Sequence, residues 1–330
     1  MNKNLFEELK KQGKMCFLAP MDGYGDSAYR QTMKKIAPHI LCVSEFYSAD
    51  GLVHSKFLAD SVLPHQKIEK PLIIQIFGKD PEMFGKAAKI IEQYDVAGID
   101  VNMGCPAKKV VRSGHGSSLF INQDIAFKIV ETLANSTHLP ISVKTRLSFD
   151  GNQCLIDFAK GLENAGANLL TIHGRTAKQA YTGKADFTQI YELKKHLSIP
   201  IICNGDIEDY DDGINKLQNL DGFMIGRKSF GNPWCFLAGD YHPALAEILE
   251  IMEFHAQKLI ETKGEKKGSL EIRKHLVQYL HNFPGVKLYR RKLVTVENMN
   301  DVLFILSEIK KDFHDYLDKK PSLGEIKEEI

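Results

Sequence analysis

The sequence is poor in cysteine, and its cysteines are widely spaced. Six cysteines are scattered over 330 residues, and no two of them have CxxC spacing. This spacing excludes a readable zinc site and a thioredoxin-like motif. Free thiols fit a reducing compartment better than a secreted disulfide scaffold.

Long apolar runs and a strong net charge are also missing. No apolar run approaches the roughly 20 residues of a membrane span, and the N-terminal MNKNLFEELKKQGK lacks the apolar core of a signal peptide. The sequence therefore predicts a cytoplasmic protein without a membrane contact. The formal net charge is +1, so any basic surface for nucleic acid must be local. No obligate protein partner is readable.

Short apolar runs are present, and helix-like sequence follows each of them. Eight such runs read as strands buried on both faces: 16–20, 40–46, 71–78, 97–103, 140–146, 167–174, 200–206 and 221–227. Amphipathic stretches such as 81–94, 124–136 and 153–166 lie between them. The alternation predicts an α/β fold, a (β/α)8 TIM barrel. A doubly wound open sheet is the alternative, which the lack of GxGxxG after the first strand disfavours.

The pattern changes after about residue 240. Strand-like runs nearly disappear, and the segments 244–264, 269–283 and 298–317 read as helices. The sequence therefore predicts two domains, a catalytic barrel over 1–240 and a small helical domain over 241–330.

Polar residues gather where the predicted strands end, which is where barrel enzymes place their chemistry. Each of them alone has a structural explanation: Gln75 as a satisfied core amide, Lys144 as a partner of Glu45 or Asp100, His173 as a structural histidine. Together they are hard to explain as packing, because buried polar groups are costly unless they are paired or used. The set comprises Gln75, Asn102, Cys105, Lys144, Arg146, His173, Arg175, Asn204, Asp206 and Arg227.

Cys105 lies in VNMGCPAKKVV (101–111), where an apolar run leads directly into Gly-Cys-Pro. Gly104 permits the turn, and Pro106 cannot continue a strand ladder. A structural cysteine would more naturally lie inside the apolar run. The pattern therefore favours a functional thiol, and a loop thiol without a role is the alternative.

Two glycines and an arginine at the last two strand ends indicate a phosphate site. Loops after strands 7 and 8 commonly hold phosphate in such barrels. Gly205 and Gly226 permit close backbone approach, and Arg227 supplies a bidentate cation, with a structural loop-capping arginine as the alternative. With Gln75 and Lys144 across the barrel mouth, the pattern suggests a phosphorylated cofactor such as FMN, whose reduced ring a cation would stabilise.

These features occur in segments that resemble the tRNA-dihydrouridine synthase family over nearly the whole chain. The matching segments are APMDGYGD (19–26), SEFYSADGL (44–52), QIFGKDPEMF (75–84), NMGCPAKKVVRSGHGSSL (102–119), VKTRLSFD (143–150), IHGRTAKQAYTGKADF (172–187), NGDI (204–207), MIGRKSFGNPW (224–234) and RKHLVQYLHNFPGVKLYRRKL (273–293). The NMGCP and IHGRT blocks together are the most specific.

The resemblance implies an enzyme that reduces the C5=C6 bond of D-loop uridines in tRNA with FMN and NADPH. Hydride would pass from flavin N5 to C6, and Cys105 would donate the proton to C5. Contacts to FMN are implied for Pro20, Met21, Asp22, Gln75, Lys144, His173, Asn204, Gly205, Asp206, Gly226 and Arg227.

Substrate contacts are expected from two groups of residues. Asn102 and Arg146 would hold the polar edge of the uracil with help from His173, and Arg175 is a further expected substrate contact. Basic residues would face RNA phosphates, above all Lys108, Lys109, Arg290 and Arg291. Two other functions stay open: an FMN barrel oxidoreductase acting on a small molecule, and a non-catalytic tRNA-binding or folding protein. The sequence does not specify the uridine position, the oligomeric state or the preference between NADPH and NADH.

Overall fold

The structure is a computed structural model that describes residues 5–239, 241–280 and 286–318. The end of the predicted helix 269–283 lies outside the described residues.

Within the described residues, eight parallel strands close into a barrel in which each strand pairs with the next and the last pairs with the first. The predicted TIM barrel is therefore confirmed, and the open sheet is excluded. The strands are β1 Met15–Leu18, β2 Leu41–Ser48, β3 Leu72–Phe77, β4 Gly98–Asn102, β5 Ile141–Arg146, β6 Leu169–His173, β7 Ile201–Asn204 and β8 Gly222–Ile225.

Strand β2 runs further than its apolar pattern indicated. The polar residues Ser44 and Glu45 mark the expected strand end, yet β2 continues to Ser48. Its pairing with β3 shifts between Val43 and Phe46, as at a β-bulge. The Glu45 carboxylate accepts the backbone N–H of Gly23 at 2.6 Å, so this strand end holds the loop that follows β1.

Helices alternate with the strands as predicted. Before β8 they are α1 Leu5–Gln12, α2 Ser27–Ile36, α3 Ala49–His54, α4 Lys56–Val62, α5 Pro81–Ile91, α6 Lys108–Arg112, α7 Gln123–Ser136, α8 Leu155–Asn164, α9 Thr188–Leu193 and α10 Tyr210–Asn215. Helix α5 shows the expected start signals, because the Asp80 side chain accepts the Glu82 N–H and Pro81 is the first helical residue. The helices predicted over 81–94, 124–136 and 153–166 are thus confirmed, with slightly different ends.

The chain groups into two compact units. One comprises Met1–Gly25 and Ile40–Gly226, and the other comprises Asp26–His39 and Arg227–Ile330. Helix α2 therefore belongs to the second unit, although it follows β1 in the sequence. The functional division into a catalytic barrel and a tRNA-binding domain stays a prediction.

The second unit is helical after residue 240, as expected. Its longer helices are α11 Leu245–Lys263, α12 Glu265–Tyr279, α13 Val286–Leu293 and α14 Met299–Asp312. Buried apolar residues from α2 and from these helices form one cluster, which includes Ala28, Trp234, Leu249, Leu276 and Leu306. Helix α13 was not recognised in the sequence, because half of its eight residues are basic.

A buried polar cluster lies inside this unit. His255 Nδ1 and the Tyr279 hydroxyl are 3.0 Å apart, and the His255 and His275 rings lie 4.6 Å apart between their centroids. The Tyr29 hydroxyl bonds Ser229 Oγ at 2.7 Å. Burial lowers the pKa of His255 to about 4 and holds the pKa of His275 well below its usual value. Both imidazoles are therefore neutral at neutral pH.

None of the described helices is long and apolar enough to cross a membrane.

Candidate active site

The carboxyl ends of β3 to β7 bring five of the predicted residues to one end of the barrel. In a closed parallel barrel these strand ends share one face. Asn102 pairs with Lys144, and His173 with Asn204, in the register of neighbouring strands, while Gln75 lies opposite Asp100. The clustering expected from the sequence is therefore present for Gln75, Asn102, Lys144, His173 and Asn204.

Buried amides connect the middle of β4 to the loop that carries Cys105. Gln75 Nε2 donates to Asp100 Oδ2 at 2.7 Å, and Gln75 Oε1 accepts from Asn102 Nδ2 at 2.9 Å. Asn102 Oδ1 in turn accepts the backbone N–H groups of Gly104 at 3.3 Å and Cys105 at 3.0 Å. Both amides are thus engaged in positioning the loop, and each keeps one further N–H, since an amide nitrogen carries two hydrogens.

Further contacts hold the Cys105 loop from its other sides. The Cys105 carbonyl accepts the Ser117 N–H at 3.1 Å, and the Gly104 carbonyl accepts Arg146 Nε at 2.7 Å. Gly116 lies close to the loop with φ +60°, where a Cβ would meet the Cys105 carbonyl oxygen at 2.8 Å. Only glycine fits such a position without displacement. The half-buried thiol therefore sits on a well-braced turn, as GCP predicts.

Lys144 is a half-buried ammonium group that forms no ion pair within the described part of the chain. Its Nζ donates to Asn204 Oδ1 at 3.0 Å, and Asn204 Nδ2 donates to the Met224 carbonyl at 2.8 Å. Among the residues in the described ranges it forms no ion pair, either with Glu45 or with Asp100. Desolvation lowers the pKa of Lys144 to about 8. The remaining ammonium hydrogens fit an electron-rich acceptor on a ligand, as the flavin expectation requires.

The two arginines expected near the substrate are both buried and bonded to the protein. Arg146 is 4% exposed and donates from NH1 to the carbonyls of Thr176 and Ala180, both at 3.0 Å. Arg175 is 3% exposed and pairs with Asp206 at 2.6 Å. Their visible role is to position loops, and a direct contact of either with uracil stays a prediction.

The loop after β7 approaches His173 closely. Gly205 has φ +111°, and a Cβ there would lie 3.2 Å from His173 Cε1 and 3.0 Å from the Ala185 Cβ. Asp206 follows with φ +48° and accepts the Ala185 N–H at 2.8 Å. The glycine therefore permits a close approach of this loop to His173, and the approach to a phosphate stays a prediction.

The remaining cofactor candidates lie at the ends of β1 and β8. Pro20 and Met21 are half-buried, and Asp22 is exposed. Gly226 leaves room between Ala19 and Met21, since a Cβ there would meet only ordinary contacts. Arg227 is exposed and begins the short 3-10 turn Arg227–Ser229, which is grouped with the helical unit.

The basic candidates for RNA contact lie on two short helices. Lys108 and Lys109 are exposed on α6, in the barrel unit. Arg291 is exposed and Arg290 half-buried on α13, in the helical unit. Both surfaces carry positive charge accessible to solvent, as predicted.

Sequence reasoning missed the part that Asp100 plays in this site. Asp100 entered only as a possible partner of Lys144. The only sequence signal was a carboxylate in the middle of an apolar strand, two residues before Asn102. That signal is ambiguous, because it does not show which neighbours the carboxylate meets.

Comparison with known proteins gives a family match over most of the chain. Residues 17–316 match the family model described as "Dihydrouridine synthase (Dus)". The chain is 34% identical to "Probable tRNA-dihydrouridine synthase 1" of Synechocystis sp. over 297 residues, which cover 86% of this chain and 82% of that one. It is also 34% identical to "tRNA-dihydrouridine synthase B" of Pasteurella multocida over 305 residues, which cover 88% and 91%.

Solved structures give a more distant likeness. The old yellow enzyme homologue from Zymomonas mobilis aligns with a TM-score of 0.51 at 13% identity, covering 67% of this chain and 86% of that one. At such identity the likeness shows the barrel fold alone.

Proposed function

The chain belongs to the dihydrouridine synthase family, and from this premise we propose that it reduces uridine in tRNA to 5,6-dihydrouridine. The more specific proposal is reduction at one or two D-loop positions, with FMN as cofactor and NADPH as reductant. The observation that supports the proposed reduction is the braced turn, which presents the Cys105 thiol at the same barrel end as Lys144.

The residues at the barrel mouth fit a bound FMN. Among the residues described, Lys144 forms no ion pair, and one N–H of the Gln75 side chain is not used in a hydrogen bond. The proposed cofactor contacts are Pro20, Met21, Asp22, Gln75, Lys144, His173, Asn204, Gly205, Asp206, Gly226 and Arg227. When bound, FMN supplies the hydride that adds to C6 of the uracil.

Cys105 is proposed to donate the proton that C5 requires. General acid catalysis needs a protonated group within hydrogen-bonding reach of the reacting atom. The turn at Gly104, held by Asn102 and Arg146, keeps the thiol in one place. A uridine must leave the tRNA fold to reach it, and such flipping costs on the order of a few kcal/mol.

The helical unit is proposed to bind tRNA through α13. Reversing both charges in Arg290→Glu/Arg291→Glu is expected to weaken tRNA binding. The magnitude of the negative slope of log K against log salt is expected to fall by roughly two, because two phosphate contacts are lost. Titrations of tRNA at several salt concentrations measure this slope. Lys310→Glu/Lys311→Glu is the matched control, since both lysines are exposed on α14. Equal weakening in the two variants would contradict a specific α13 surface.

The proposed reaction is tested with unmodified tRNA, purified protein, FMN and NADPH. Dihydrouridine is then mapped position by position, and product at one or two D-loop positions is the expected result. NADPH turnover coupled to a free pyrimidine, without tRNA, would instead favour a small-molecule oxidoreductase. Bound FMN and bound tRNA without product would favour a tRNA-binding or folding protein.

A further inference from the structure

Asp100 is a buried carboxylate in β4 that forms no ion pair among the described residues, although the charge of Lys144 favours its ionised form. Its side chain is 3% exposed, and its oxygens accept from two neutral groups, Ser142 Oγ at 2.6 Å and Gln75 Nε2 at 2.7 Å. Burial raises the pKa of Asp100 to about 6. Burying an ionised carboxylate is costly in free energy. When it is ionised it can only accept hydrogen bonds, and this property matters for the groups around it.

The bond from Gln75 to Asp100 determines the orientation of two amides. An ionised carboxylate only accepts, so the Gln75 amide must turn its nitrogen toward Asp100 and its oxygen toward Asn102. Asn102 then donates through nitrogen to Gln75, and its oxygen faces the N–H groups of Gly104 and Cys105. Peptide N–H groups only donate, so both ends of the chain of bonds select the same direction.

We propose that Asp100 is a positioning residue for the reaction at Cys105, because it directs the relay of hydrogen bonds through Gln75 and Asn102 that holds the Cys105 loop. The chemical consequence rests on the proposed function, whereas the positioning of the loop does not. An amide at position 100 can still accept from Gln75 through its oxygen, whereas an apolar side chain leaves the Gln75 nitrogen without this acceptor.

The relay also determines what the two amides offer to a ligand. The side-chain oxygens of Gln75 and Asn102 both accept hydrogen bonds within the relay, and each amide keeps one N–H. Two donors suit the carbonyl oxygens of a uracil or a flavin ring. Asp100 therefore sets the donor character of two residues as well as the position of the thiol.

Two substitutions of Asp100 distinguish its effect on the direction of the hydrogen-bond relay from its effect on packing. Asp100→Leu keeps the branched shape of the side chain and removes the acceptor, so kcat for uridine reduction is expected to fall roughly ten- to a hundredfold through misplacement of the thiol, with unchanged tRNA affinity. Asp100→Asn is expected to retain most of the activity, because its oxygen can accept from Gln75 while its nitrogen donates to Ser142 Oγ. Asp100→Ala replaces the leucine variant if leucine prevents folding.

Ser142→Ala is the matched control in the same part of the barrel. It removes the other bond to Asp100 and leaves the relay intact, so kcat is expected to stay within about threefold of the wild type. The bond from Ser142 to Asp100 does not pass through Gln75 or Asn102, so its loss is expected to affect stability more than the position of the loop.

A second readout needs neither substrate nor cofactor. Cys105 is half-buried, Cys154 is exposed and the other four thiols are buried, so a Cys154→Ala background lets iodoacetamide report on Cys105. The alkylation rate at Cys105, followed by peptide mass spectrometry, is expected to change severalfold in Asp100→Leu and to stay unchanged in Asp100→Asn. If the wild type reduced no uridine, the proposed function would fail while this rate still tested the relay.

Two results would overturn the proposal. One is an Asp100→Leu protein, or its alanine replacement, with wild-type alkylation of Cys105. The other is equal change in Asp100→Asn and Asp100→Leu, which would indicate that the charge supports the barrel and not the direction of the relay.

Discussion

Replacing Cys105 by alanine is expected to slow uridine reduction roughly a hundredfold to ten-thousandfold, the usual contribution of a general acid. The substitution removes only the proton donor. The bonds that hold the turn run through the backbone of residue 105 and through Asn102 and Ser117, so the loop is expected to persist. Single-turnover reduction of tRNA, with tRNA affinity and flavin content measured in parallel, tests this expectation.

Cys154→Ala is the control for this experiment. It removes the exposed thiol that precedes α8 and is expected to leave turnover unchanged. Full turnover in the Cys105→Ala protein would show that the proton comes from another group, and the assignment of Cys105 would be abandoned.

Lowering the pH from 7 to 4 is expected to destabilise the helical unit by roughly 3 kcal/mol through His255 alone. The folded pKa of His255 is about 4, below the value of about 6.5 in an unfolded chain. The unfolded chain therefore binds the proton first, so the stability is fully present above pH 6.5 and is lost as the pH falls toward 4. His275, whose pKa is also lowered, adds in the same direction.

The only tryptophan of the chain, Trp234, allows the pH dependence of the stability of the helical unit to be measured. Trp234 is buried in the cluster of the helical unit, so its fluorescence in urea follows the unfolding of that unit. His255→Gln keeps a polar partner for Tyr279 and cannot titrate, and its stability is expected to depend less on pH. His314→Gln, at a side chain that is 83% exposed, is the control. An unchanged pH dependence in His255→Gln would refute the explanation.

The barrel was predictable because parallel strands buried on both faces leave a plain signal. The run Leu72–Phe77 is apolar apart from Gln75, whereas Ile141–Arg146 alternates its apolar residues with Ser142 and Lys144 and ends in polar residues at the active end. Such local patterns determine where strands lie and which of their ends carry chemistry. The bulge in β2 left no comparable signal, because it arises from pairing with β3.

The contacts inside the site were not predictable in the same way. Gln75, Asp100 and Asn102 were each visible, but which amide atom faces which neighbour depends on strand register and on the shape of the barrel. The same applies to His255 and His275, which lie on different helices and meet only through packing. The residue types alone predicted the chemistry of the site, whereas the hydrogen bonds between these residues could be identified only from the folded structure.

The grouping of α2 with the helical unit has a consequence for biosynthesis. The ribosome releases Ser27–Ile36 early, long before α11 to α14, whose side chains complete the apolar cluster around Ala28. Domains tend to fold as they emerge, so the barrel strands are available for closure while α2 still lacks its partners. During that interval its buried face, with Tyr29 and Met33, is exposed to chaperones, and a fragment that starts at residue 241 would lack this helix altogether.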